Sequence, residues 1–60
     1  MSTIAEYIKD TATDYRECLL MSDQLAVDDE QDFENETTIL TFKDESKLKF
    51  DGLAQAVEIL

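Results

Sequence analysis

There is no histidine and no proline in these 60 residues, and only one cysteine and one glycine. Each shortage closes off some chemistry. Without an imidazole, Cys18 lacks the usual base that would make its thiolate, and Lys9 and Arg16 fall on the opposite face of the helix expected to carry it. A buried, small apolar role suits Cys18 better than catalysis. One cysteine and no histidine cannot make a structural zinc site, and a lone cysteine cannot form a disulfide within the chain. Calcium loops usually turn on a central glycine, and Gly52 lies far from the acidic residues. There is no glycine-rich phosphate loop, no Ser–His–Asp set and no nucleotide fingerprint. A chain this short cannot readily build both a core and a cleft of several hundred Å³. The sequence therefore reads as non-enzymatic, with no metal and no cofactor.

Long apolar runs are also missing. None approaches the roughly 18 residues that a membrane-spanning helix needs. Met1-Ser2-Thr3-Ile4-Ala5-Glu6 has neither the basic nor the apolar region of a signal peptide, so the cytoplasm is the expected compartment. Cations are scarce too, at five against fifteen acids, for a net charge of −10. That balance disfavours direct binding to nucleic acid or anionic membranes and favours rapid capture by a basic partner.

The acids are concentrated at the centre. Asp28-Asp29-Glu30-Gln31-Asp32-Phe33-Glu34-Asn35-Glu36 holds six carboxylates and no cation. Those at 28, 30, 32, 34 and 36 alternate strictly. If extended, they would share one side at a spacing of roughly 6.6 Å. A regular row of negative charge can occupy a groove that another protein keeps for a polyanion. As a helix the same stretch would stack like charges one turn apart, so the expectation is a loop or irregular extended strand. Its ordinary reading is a solvated linker. Its functional reading is a partner-binding surface of Asp28, Asp29, Glu30, Asp32, Glu34 and Glu36, with Phe33 as the apolar anchor.

The rest of the chain predicts a single small α+β domain over residues 1–60. Thr3 caps an amphipathic helix, with Glu6 in the capping-box position, and Ile4, Ile8, Ala12, Tyr15 and Leu19 form one stripe that could run to about Met21. Ser22-Asp23 could stop that helix or cap a short second one. The segments from Thr37 to Lys43 and from Lys47 to Phe50 alternate as a two-stranded antiparallel hairpin. A turn at Asp44-Glu45-Ser46 sets Phe42 opposite Leu48, Leu40 opposite Phe50 and Lys43 opposite Lys47. Lys43, Lys47 and Lys49 then lie on the outward face as solubilising charges that blunt an edge strand. Residues from Leu53 to Leu60 predict a short C-terminal helix, with a third strand as the competing reading. The expected core is Ile4, Ile8, Tyr15, Leu19, Leu40, Phe42, Leu48, Phe50, Leu53 and Val57.

Two functional expectations follow. The first is a small acidic inhibitor or effector that occupies a basic surface of a larger protein, such as one built for nucleic acid. In size and composition alone it resembles nucleic-acid mimics and bacteriophage-encoded inhibitors. The second is a homodimeric structural or regulatory module whose acidic run is only a solubilising loop. A core this small, closed by a two-stranded sheet, favours a homo-oligomer.

Overall fold

The computed structural model describes residues 2–60; Met1, first residue of the N-terminal stretch considered above, lies outside them. The order is α1 (Ile4–Thr11), α2 (Tyr15–Leu25), β1 (Asp28–Asp32), β2 (Thr37–Thr41), β3 (Lys47–Asp51) and β4 (Ala56–Ile59). The four strands form one antiparallel sheet in the order β1-β2-β3-β4. The expected α+β class holds, but the expected elements do not. The acidic run, expected as a loop or irregular extended strand, is a regular strand over Asp28–Asp32; the two-stranded hairpin is the middle of a four-stranded sheet; and the C-terminal segment, expected as a short helix, takes the competing strand reading as β4.

The single long helix is broken in two. Asp14 is extended and its side chain accepts from the Glu17 amide at 2.8 Å, which starts α2 afresh. Asp14 and Glu17 repeat the spacing of Thr3 and Glu6, so the break carries its own sequence signal. Ser22 and Asp23 neither stop α2 nor cap a second helix, because α2 continues to Leu25.

The β2–β3 turn is Lys43-Asp44-Glu45, one residue earlier than expected. Glu45 takes a left-handed φ of 71°, and the Phe42 amide donates to the Ser46 carbonyl at 2.9 Å. Asp44 fixes this loop by accepting from the Ser46 amide at 3.0 Å. The register therefore moves by two residues. Leu40 faces Leu48, Thr38 faces Phe50 and Thr41 faces Lys47, so neither Phe42–Leu48, Leu40–Phe50 nor Lys43–Lys47 is a facing pair. A shift of two leaves every side chain on its own face. Leu40, Phe42, Leu48 and Phe50 all remain buried on one side of the sheet.

Both helices pack on that side. Ala5 and Ile8 of α1 and Cys18 of α2 complete the buried cluster, flanked by Ile4, Ala12, Tyr15, Leu19, Met21, Ala26 and Val57. Tyr15 meets Phe50 edge-on, with ring centroids 5.8 Å apart. Leu53 is the one expected core residue that fails: it sits in the β3–β4 turn and is 74% exposed. Burial pushes the Cys18 thiol upward, outweighing the opposite pulls of Ser22 and Lys9, so it stays protonated near neutrality. The Ser22 hydroxyl is itself buried without a conventional hydrogen bond, a small cost at the centre of the packing.

One long-range contact fastens α1 to the sheet. The Asp44 carboxylate accepts from the Ile4 amide at 2.8 Å, and the Ser46 hydroxyl accepts from the Ala5 amide at 3.2 Å. With Thr3 accepting from Glu6, three first-turn amides of α1 are satisfied. Bonds from the Ser46 side chain and the Ile4 and Ser46 amides hold the Asp44 carboxyl below its ordinary value of 3.8. A lowered folded-state value means that this group stabilises fully above the ordinary carboxylate range and loses its effect as pH falls through the lowered value. Asp44→Ala should therefore melt below wild type at pH 7, with the gap between the two narrowing as pH falls below the ordinary carboxylate range. A gap that stays constant with pH would show that the carboxylate charge is irrelevant.

Candidate functional site

The register assigns each acid to a face. Leu40 lies on the helix-covered side, so its partner Asp29 and the next-but-one Gln31 share that side. Asp28, Glu30 and Asp32 project from the opposite, helix-free side. The alternating row is therefore real over three positions, at the strand spacing of about 6.6 Å. It ends there. Residues 33–36 form a turn in which Glu36 has a φ of 52°, so Glu34 and Glu36 leave the line.

Why the chain turns at 33 follows from Asp32. Its Oδ1 accepts from the amides of Glu34 at 3.1 Å and Asn35 at 3.4 Å, and its Oδ2 from the Asn35 side chain at 2.8 Å. These bonds, led by the Asn35 side chain, lower the Asp32 carboxyl from its ordinary value. It is fully charged near neutrality. Asp51 repeats the device at the next loop on the same end of the sheet, accepting from Leu53 and Ala54, with Gln55 at a φ of 51°. The two loops are joined by a bond from the Gly52 amide to the Glu36 carbonyl at 2.9 Å. A Cβ on Gly52 would lie 3.1 Å from that carbonyl, so the close approach favours glycine.

Phe33 is 84% exposed at the head of this turn. It lines one groove on the helix-free face with Glu30, Asp32, Glu34, Ile39 and Lys49. The anchor and three of the six acids, Glu30, Asp32 and Glu34, are thus brought together, with Asp28 further along the same face and Asp29 across the strand on the other. Lys47 and Lys49 also project from the helix-free face, two strands from β1 and so roughly 9.5 Å away. They do not blunt an edge, because β3 is interior. Lys43 lies apart in the β2–β3 turn. The face is polarised, with an acidic margin beside a basic centre.

Sequence reasoning missed a second surface. α2 overhangs the helix-side flank of β1, and Leu19, Leu20 and Asp23 line a groove of about 310 Å³ with Asp29, Gln31, Thr38 and Leu40. Leu20 is 56% exposed there. Its signal was the widening of the apolar stripe at Leu20 and Met21, which a second helix lying along a sheet would explain. Among the described residues no group of acids and cysteine is arranged to hold a metal ion, and no helix is long and apolar enough to cross a membrane. No protein-family model matches the chain, and neither a curated protein nor a solved structure matches it.

Proposed function

We propose that this domain is a protein-binding inhibitor or effector that occupies a basic surface of a larger protein, of the kind that would hold a polyanion. The observation that carries this reading is the line of Asp28, Glu30 and Asp32 on the uncovered side of an edge strand, with Phe33 exposed at its end. All five residues of β1 are exposed, so the charges stand in water, where they steer encounter over several ångströms. Phe33 then supplies the short-range apolar contact that slows departure. The test is capture from native lysate at low salt, comparing wild type with a variant whose acidic run is neutralised. A partner retained equally by both removes the acidic strand from the interface.

A second reading, a homodimer, rests on the other edge. β4 carries a single charge, Glu58, and its Ile59 and the following Leu60 are 39% and 58% exposed. The sheet has four strands, so the two-stranded argument for a homo-oligomer does not apply, but an edge strand with one charge is itself a template for pairing. Sedimentation of wild type should then give a dimer at micromolar concentration, and Ile59→Lys should return it to monomer. Monomer alone across that range excludes this reading.

A further inference from the structure

We propose that the outer edge of β1 receives an extended segment of its partner as a fifth strand, one whose side chains alternate between cationic and apolar. The inference rests on the basic-partner reading above and specifies the form in which that partner binds.

The hydrogen-bond parity of the sheet identifies which groups face outward. The Phe42 amide bonds to Ser46, so even-numbered residues of β2 face β3 and odd-numbered ones face β1. Through the pairs Asp28–Thr41, Glu30–Ile39 and Asp32–Thr37, the backbone groups of 28, 30 and 32 are spent on β2. Those of Asp29 and Gln31 point away from the sheet. Consistent with this, the Asp29 amide turns to the Asp28 side chain at 2.9 Å. The Gln31 amide and the carbonyls of both residues remain as the open template.

The two sides of the vacant position differ in chemistry. On the helix-free side it borders Asp28, Glu30 and Asp32. On the helix side it borders the groove under Leu19 and Leu20. Successive residues of a strand point to opposite faces, so a strand lying there presents one set of side chains to Asp28, Glu30 and Asp32 and the other to a groove of mixed lining, where Leu19, Leu20 and Leu40 stand with Asp23, Asp29 and Gln31. Lysine or arginine at alternate positions, with valine, isoleucine or leucine between them, matches both. A cation arriving at Asp28 also competes for the carboxylate that caps the Asp29 amide. Edge strands are commonly protected from one another by charge. Here four of five residues are acidic, which repels a second copy of the same edge and selects a cationic strand.

The probe is a blocked nine-residue peptide of alternating lysine and valine, titrated into the intact protein. Two comparisons accompany it: a peptide of the same composition with lysines and valines in separate blocks, and the alternating peptide N-methylated at its valines. Valines lying opposite Asp29 and Gln31 turn their own amides toward β1, so methylation removes the bonding donors while keeping charge and apolar surface. The alternating peptide should bind at least tenfold tighter than either comparison peptide and slow hydrogen exchange of the Gln31 amide at least tenfold. Gln31→Pro, which deletes only an outward-facing amide, should weaken it to a similar extent. Equal, salt-sensitive binding of all three peptides overturns strand addition and leaves the electrostatic reading standing. Binding by none of them overturns strand addition, and the lysate capture then judges the electrostatic reading separately.

Discussion

Phe50→Ala should be the most destabilising single truncation in the domain. Phe50 is 1% exposed, stands edge-on to Tyr15 and faces Val57 across β4 and Thr38 across β2. It therefore links α2 to three strands at once. Truncating a buried phenylalanine costs about 3–5 kcal/mol. A chain of this length holds about 3–9 kcal/mol in all, at about 0.05–0.15 kcal/mol per residue. The substitution removes a large share of that margin, and all of it if the wild-type domain sits at the low end of the range. Leu53→Ala makes the matched control, since Leu53 is largely exposed in its turn and should shift stability by no more than about 0.5 kcal/mol. Urea titration followed by circular dichroism measures both. Two variants of equal stability would mean that the buried face has been assigned wrongly.

Neutralising the acidic run should have the largest effect on binding. Replacing Asp28, Glu30, Asp32, Glu34 and Glu36 with Asn or Gln should slow association with the basic partner by about tenfold or more at low salt. It should also flatten the dependence on ionic strength. Asn at 32 retains a side-chain oxygen for the Glu34 and Asn35 amides, so the turn survives and the comparison isolates charge. Most of the loss should come from 28, 30 and 32, which share the helix-free face, and little from 34 and 36. Phe33→Ala should act differently, raising the dissociation rate while leaving association and its salt slope intact. Surface plasmon resonance across a salt series separates these effects. Unchanged association of the neutralised variant would return the run to the status of a solvated edge.

The elements most legible in the sequence were those whose periodicity had one interpretation. Ile4 and Ile8 with Thr3 and Glu6 marked α1, and alternation from Leu40 to Phe50 marked the central hairpin. The acidic strand was harder because its alternation is written in charge: Asp and Glu are poor strand formers, and only pairing with Thr37–Thr41 makes β1 extended. β4 was ambiguous because Leu53, Ala56, Val57 and Leu60 satisfy a helical spacing while Val57 and Ile59 also alternate. The Asp51 turn and Gln55 at positive φ decide for the strand. The acidic residues and Phe33 could be named from sequence, as could the shared side of 28, 30 and 32 in an extended chain, but not which side of the sheet they take or where the row ends. Those depended on the β1–β2 register that sets Asp29 opposite Leu40 and on the Asp32 turn that takes Glu34 and Glu36 out of line. Nor does charge alone reveal the groove under Leu20, which exists only because α2 lies along the flank of β1.

The bonds from Asp44 and Ser46 to α1 also couple two distant parts of the chain. Every strand pairs with its neighbour in sequence, so the meander closes through short loops. α1 cannot follow that local route. At eight residues it is shorter than the ~12–15 that an isolated helix needs in water, and beyond its local cap Thr3 the groups that satisfy its Ile4 and Ala5 amides lie 40 and 41 residues away. Those groups reach their positions only once Lys43-Asp44-Glu45 has turned. The start of the N-terminal helix is thus tied to the geometry of a loop in the middle of the sheet, so a change that unfastens that loop should fray α1 as well.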